Sequence, residues 1–449
     1  MDGLNKSPDE LLIQAAEAGL DSFYTGRQII TFREGATREG LEALSTGEVA
    51  VAHASDFNES AVEFDTLESA GMIVFEELGV ALVTGDSPVL SMSAATEAST
   101  AGNPILAIEP ETFVFADQHL QSYLDGFAAA VDRIRTDLGG GGGDAADAAD
   151  TDAQSTAHTW GLTATRVPRS VRTGRGIKVA ILDTGFDLHH PDFIGRPVVH
   201  SSFIPNQTVQ DVHGHGTHCT GTACGLRAPG GVPRYGIAYE ASIYIGKVLS
   251  NSGGSVGGSV LAGMNWAVAN RCEVISMSLR GTGGPFTYYT DAGQRALNAG
   301  CLIVAAAGND SARPGTIAPA GAPANSPTIV SVGALNEQLG IAGFSNGGKV
   351  DIAAPGVNVF SSLPMPRRYA SWSGTSMATP HVAGLAALIA QGDAALRGTR
   401  LRAELIRLCR RLSHPPRDVG AGLSQAPVRV FGPIIRDDLI RDRVLQPAE

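Results

Sequence analysis

The 449-residue sequence lacks any apolar run approaching the roughly 20 residues that a membrane-spanning helix needs. It also lacks an excess of positive charge. Its 45 acidic side chains outnumber 33 Lys and Arg, giving a formal net charge of −12, which argues against nucleic acid or an anionic membrane as a partner. Cysteine is scarce: the five are Cys219, Cys224, Cys272, Cys301 and Cys409, an odd number with no CxxC pair. That count argues against a disulfide framework or a zinc ribbon, and fits buried thiols in a reducing compartment. The opening residues, MDGLNKSPDELLIQ, lack the basic-then-apolar pattern of a secretory leader. The expectation is a cytoplasmic or unconventionally exported protein, unless a leader is missing from this sequence. What is present is ordinary globular composition, 43% hydrophobic and 17% charged, with 55 Gly marking frequent turns. The length implies two or more domains.

Low complexity divides the chain. Residues 139–154, GGGGGDAADAADTDAQ, cannot bury a core and read as a self-repelling linker. Ahead of it, Ser7 with Glu10 forms a capping-box pattern opening a helix over 7–20. The following stretches read as a strand (27–33), a helix (34–44), two strands meeting near Gly79 (72–86), a helix (87–98) and a last strand (105–116). That order, βαββαβ, is the ferredoxin-like split motif. A further helix is expected over 119–138. Beyond the linker, KVAILD, IYIGKVL, EVISMSL, CLIVAAA and TIVSVGA are short apolar runs alternating with helical segments. Such alternation predicts an α/β domain with a mostly parallel central sheet flanked by helices. The expected units are 1–25, a helical extension; 26–117, a small α+β domain; 118–155, helix and linker; 156–429, the large domain; and 430–449, a tail.

Four motifs in the large domain carry chemistry. Asp183 ends an apolar strand in KVAILDTG. A carboxylate there is costly to bury without a partner, though a turn or cap is an equally ordinary use. DVHGHGTHCTGTACG places His215 at the expected start of a helix built from small residues. Three histidines in six positions raise a zinc reading, but no HExxH or CxxC accompanies them. Asn309 ends another strand in AAAGN, where its amide can serve a turn or donate to an anion. Ser376 opens an apolar helix in GTSMATPHVAG, as an N-cap or as a nucleophile at the positive end of a helix dipole. A serine nucleophile needs a base and a group that orients the base.

Together, and in the order Asp, His, Ser, these motifs resemble the subtilisin-like serine proteases, the subtilase family, with proteinase K-like detail in HGTHC. The resemblance covers about 160–425 and ends in VGAGLSQA. It implies a serine endopeptidase in which Ser376 attacks, His215 is the base, Asp183 holds the histidine, and Asn309 with the Ser376 N–H forms the oxyanion hole. Pro380 is then accommodated because first-turn N–H groups have no intrahelical partner. Cys219 becomes a buried thiol beneath His215. By the same resemblance a substrate polypeptide adds as an edge strand along Ser278, Leu279 and Arg280 and along Gly254 and Ser255.

Arg280 stands where the family usually has Gly, beside the first specificity pocket. It is expected to narrow that pocket and disfavour a basic residue there, with acidic residues gaining. No cofactor is implied for the chemistry. A structural calcium is implied at Asp351 with the carbonyls of Pro327 and Ile329. A second calcium loop of the family is not carried over, because LRAPGGVPR offers no Asn or Asp, and Asp192 reads as a structural cap. The N-terminal βαββαβ unit resembles a subtilase propeptide, an intramolecular inhibitor and folding aid. Its final strand would lead its tail into the active site, giving a first self-cleavage close to 113–120. A monomeric zymogen is expected, without nucleic-acid or membrane partners. Other readings are a maturation protease dedicated to one cytoplasmic precursor, a catalytically silent peptide-binding pseudoprotease, which needs a broken triad, and an ester hydrolase, which a strand-like groove disfavours.

Overall fold

The computed structural model describes residues 6–17, 24–44, 50–54, 70–84, 103–116 and 157–428. The helices expected over 87–98 and 119–138, the linker over 139–154 and the tail over 430–449 lie outside them. Helix α1 (Pro8–Glu17) opens with the expected reciprocal cap. The Glu10 N–H donates to Ser7 Oγ at 3.2 Å, and the Ser7 N–H donates to the Glu10 carboxylate at 2.7 Å.

β1 (Tyr24–Phe32), α2 (Thr37–Leu44), β2 (Ala50–His53), β3 (Ala70–Phe75), β4 (Val80–Thr84) and β5 (Ile105–Ala116) follow. The sheet runs β5-β1-β4-β3, with every neighbouring pair antiparallel. β3 and β4 meet through a single 3₁₀ turn closed by Gly79 in the left-handed region. β2 adds a parallel edge strand that the sequence reading missed, because four residues are too few to show alternation. The period of 2 separates two cores along β1. Ile30 and Phe32 pack with Met72, Val74 and Val83 on one face, while Ile29 packs with Leu82 and Val114 against the larger domain.

The large domain is built on β6 (Lys178–Asp183), β7 (Val198–Ser202), β8 (Ser242–Lys247), β10 (Val274–Met277), β12 (Leu302–Ala306), β13 (Val330–Leu335) and β14 (Ile352–Pro355). They form one parallel sheet in the order β14-β13-β12-β10-β6-β8-β7. Apart from the half-exposed edge strand β7, the strands are buried on both faces, which is why they read as unbroken apolar runs. Helices α3 (Trp160–Ala164), α4 (His215–Cys224), α5 (Gly257–Ala269), α6 (Thr287–Asn298), α7 (Thr375–Ala390), α8 (Gly398–Arg407) and α9 (Pro416–Val419) complete the domain, with short strands β9 (Gly254–Val256) and β11 (Leu279–Gly281) and the hairpin β15 (Val359–Ser362) and β16 (Tyr369–Trp372). α4 and α7 pack on one face, where Cys219, Ala378 and Val382 share a core with Val179 and Ile181. α5 and α6 cover the other, where Met264 and Ala292 meet Ala180, Leu182 and Ile275.

The end of β5 lies antiparallel between β9 and β11, so the small sheet continues into the large domain. Two carboxylates of β5 fix this docking. Glu109 accepts from the N–H groups of Thr287 and Tyr288 at 3.0 and 3.1 Å, at the start of α6. Glu111 accepts from the Gly258 N–H at 2.6 Å, at the start of α5, and is gripped through both oxygens by the buried Arg27. Each carboxylate satisfies donors that a helix start leaves open and meets the positive dipole end, contributing about 1 kcal/mol. α1 reaches the same rim, where Asp9 accepts from the hydroxyls of Ser250 and Ser252.

Candidate active site

Asp183 is the last residue of β6, and His215 and Ser376 lie in the first turns of α4 and α7. All three meet at the C-terminal edge of the parallel sheet, where open α/β sheets place their sites. His215 Nδ1 donates to Asp183 Oδ1 at 2.7 Å, with both side chains 1% exposed. Burial opposes charging the imidazole, yet the Asp183 carboxylate outweighs it and raises the His215 pKa well above 6.5. His215 Nε2 has no hydrogen-bond partner among the described residues and is therefore available to take a proton. Ser376 Oγ is turned to the Ser278 carbonyl at 3.4 Å, and the Ser278 hydroxyl donates back to the Ser376 carbonyl at 2.8 Å. The nucleophile is thereby tied to the residue that begins the substrate-pairing strand.

That second bond corrects the account of Pro380. Pro380 is the sixth residue of α7, beyond the first turn, so it removes the N–H that the Ser376 carbonyl would otherwise accept. Ser278 Oγ takes that place, with Cys219 Sγ donating from 3.5 Å. The proline thus leaves the nucleophile's carbonyl open to neighbours outside the helix.

Asn309 follows β12, and its Oδ1 accepts from the Thr375 N–H and hydroxyl at 2.9 and 3.1 Å. Gly374 explains the geometry around it. A Cβ on Gly374 would lie 3.2 Å from Asn309 Nδ2 and 3.6 Å from the Ser376 nitrogen. Both nitrogens therefore border one small space that only a glycine leaves open, a fitting place for an oxyanion.

Several supporting residues went unread in the sequence. Asp211 is buried and binds the start of α4: it accepts from the N–H groups of Gly214 and Thr217 and from the hydroxyls of Thr184 and Thr217. An acid four residues before the helix was the available signal. Lys247, level with Asp183 in the β6–β8 register, is fully buried and donates to the Thr184 carbonyl. Burial lowers its pKa to about 8 against the pull of Asp211, Asp183 and Asp9. His218 is structural: its Nε2 lies 2.9 Å from the Val359 carbonyl, and its ring stacks on Trp372 at 5.0 Å. Burial, then the charge of His215, lowers its pKa to about 3. Cys219 Sγ lies 3.9 Å from His215 Nδ1, so Asp183, His215 and Cys219 could together face a metal. Burial raises the Cys219 pKa, and His215 Nδ1 is already engaged by Asp183. Asp192 is no cap: its carboxylate accepts from the hydroxyls of Tyr235 and Tyr369.

The expected calcium position does not fit calcium. Asp351 and the Ile329 carbonyl converge on the Lys349 ammonium, which also donates to the Ala324 carbonyl at 2.9 Å. Pro327 lies in the turn just before Ile329. A resident ammonium already supplies the positive charge these oxygens require, and a divalent ion would have to displace it. Chelator or millimolar calcium should therefore leave the melting temperature unmoved. Lys349→Ala should lower it, at a cost of about 1–3 kcal/mol, because the Ala324 and Ile329 carbonyls lose their donor and Asp351 loses an ion-pair partner, keeping the Ser331 N–H. Calorimetry on the inactivated chain checks both. A chelator-dependent drop would restore the calcium reading.

The predicted substrate-binding residues come together around β5: Leu279 and Arg280 on one side, Gly254 and Ser255 on the other, with Ser278 at the nucleophile. A family model described as the subtilase family matches residues 174–422. Subtilisin E of Bacillus subtilis (strain 168) is 42% identical over 220 residues, covering 48% of this chain and 56% of that protein. Subtilisin Savinase of Lederbergia lenta is 41% identical over 251 residues, covering 55% of this chain and 89% of that protein. M-protease of Shouchella clausii (strain KSM-K16) is 41% identical over 251 residues, covering 55% and 63%. The chain thus spans little more than half of Subtilisin E.

Proposed function

The chain belongs to the subtilase family, and from that premise we propose that it is a serine endopeptidase made as a self-inhibited zymogen. The observation that carries the activity is the convergence of the Asp183–His215 pair, Ser376 and Asn309 on one sheet edge. Ser376 Oγ adds to the scissile carbonyl as His215 Nε2 accepts its proton. Asn309 Nδ2 and the Ser376 N–H receive the developing oxyanion. The C–N bond then breaks as His215 returns the proton to the leaving amine, and water releases the acyl group by the same route. Asp183 keeps the histidine in the tautomer this requires. No cofactor takes part in these steps.

The inhibitory reading of the N-terminal domain is supported by β5, which occupies the two-sided strand position that a substrate would take between β9 and β11. The Glu109 and Glu111 helix caps hold it there. Once the N-terminal domain has been cleaved off and released, the purified protein should be labelled by a fluorophosphonate at Ser376, located by peptide mass spectrometry, and should cleave an unfolded protein substrate; before release both should be slower. A properly folded protein that neither labels nor cleaves after its N-terminal domain has been released would overturn the proposal and leave a peptide-binding protein.

A further inference from the structure

Strand register fixes where the acyl-side residue of a cleaved peptide sits. β5 pairs with β11 through Val114 with Gly281, Phe115 with Arg280 and Ala116 with Leu279. One step further back along the chain from Leu279 is Ser278, whose carbonyl accepts from Ser376 Oγ at 3.4 Å. A peptide bound in this register puts the residue after the Ala116 position opposite Ser278, beside the nucleophile. Side chains alternate along a strand, so that residue shares a face with the side chains of Ser278 and Arg280. Arg280 is then its diagonal neighbour.

The space on that face is shaped around Arg280. A Cβ on Gly308 would lie 2.7 Å from Arg280 Cδ, and a Cβ on Gly321 would lie 2.6 Å from both its Cγ and its Nε. The arginine stem therefore runs between two glycines, one of which directly precedes Asn309. Its Nη1 donates to Asp310 at 2.8 Å, and Asp310 is itself held by Asn346 Nδ2 at 2.7 Å. Asp310 thus orients the guanidinium while occupying one of its five N–H groups. Arg280 Nε is buried and has no partner among the described residues. A guanidinium stays charged at every accessible pH and presents a fork suited to a carboxylate.

Resting on the endopeptidase reading above, we propose that Arg280 makes this a protease that cuts after acidic residues. An Asp or Glu side chain at the position opposite Ser278 meets the unused donors of a positioned guanidinium. A Lys or Arg there meets a like charge, and a large apolar group finds its space filled. The chain's own sequence agrees: the residue after Ala116 is Asp117. The first self-cleavage is then at Asp117–Gln118. Ser376 Oγ forms an ester with the Asp117 carbonyl carbon, the C–N bond to Gln118 breaks, the amine leaves with the proton from His215, and water hydrolyses the ester.

Peptides identical except for Asp, Glu, Ala, Phe or Lys on the acyl side of one bond test this, together with intact-mass analysis of the purified chain. Asp or Glu peptides should exceed the Lys peptide in kcat/KM by at least about tenfold, as a charge-assisted hydrogen bond implies. Arg280→Ala should collapse the Asp-over-Ala ratio by a similar factor, and Arg280→Lys should restore part of it. Because Arg280 packs tightly, Asp117→Lys in the full chain gives an independent readout that leaves the groove intact: the cut after residue 117 should slow by at least about tenfold or move. Cleavage that favours Lys, Phe or Ala, a profile indifferent to Arg280→Ala, or an unaltered cut in Asp117→Lys overturns the proposal while leaving the endopeptidase standing. Absence of self-cleavage, together with absence of peptide cleavage and fluorophosphonate labelling after the N-terminal domain has been released, instead fails the endopeptidase reading.

Discussion

Ser376→Ala and His215→Ala should each lower kcat by about 10⁶-fold, the size known for subtilisin itself, and the double variant should lose little more. The reason is geometric. A nucleophile without its base and a base without its nucleophile are equally idle, so the two deletions remove one function, worth about 8 kcal/mol of barrier. The pH profile gives a second readout of the same pair. Burial works against a charged His215, but Asp183 raises its pKa above 6.5, and the unprotonated ring is the active form. The acid limb of kcat/KM should therefore lie above pH 6.5, and activity should rise with pH through it. Asp183→Asn should remove most activity and shift that limb downward. Steady-state assays across pH on the single and double variants decide the matter. Additive losses, or a limb below pH 6.5, would separate the pair.

The site was largely legible in the sequence because each of its members sits where a short motif meets the end of a regular element. Asp183 closes an apolar strand, Asn309 follows another, and His215 and Ser376 open helices made of small residues. Strand ends and helix starts are local features, visible from a few neighbouring residues. What was misread depends on contacts distant in the chain. Lys349 is an unremarked surface-type residue until the fold brings its ammonium to Ile329, Ala324 and Asp351. Pro380 looked harmless by position, whereas its tolerance comes from Ser278, 98 residues from the carbonyl it frees. Lys247 belongs to the site only through its register with Asp183 on the neighbouring strand. The small domain follows the same rule. Its first strand and helix, the two strands meeting near Gly79 and the last strand were readable from the sequence, but the helix caps at Glu109 and Glu111 needed the partner helices in place.

Asn309→Ala should lower kcat by about 10²–10³, the cost known for removing subtilisin's own oxyanion-hole asparagine, with much less change in KM. Asn309 Oδ1 is anchored by the Thr375 N–H and hydroxyl, so the amide cannot rotate without losing two hydrogen bonds. That anchoring leaves Nδ2 on the side of the space beside Gly374 that the Ser376 N–H also borders. A ground-state carbonyl gains little from a donor placed there, whereas a developing oxyanion gains a fixed dipole without solvent reorganisation. The effect should therefore fall on kcat. Asn309→Asp separates the donor from the anchor. It keeps an oxygen for Thr375 but replaces the amide nitrogen with a second oxygen carrying negative charge, and it should be at least as damaging as Asn309→Ala. Gly374→Ala approaches the same space from the other side. Its methyl group would sit 3.2 Å from Nδ2 and 3.6 Å from the Ser376 nitrogen, where the oxyanion must fit. It should reduce turnover even though both donors remain. Near-normal kcat in Asn309→Ala, measured on a chain that still labels at Ser376, would remove Asn309 from the hole and leave the Ser376 N–H as its remaining donor.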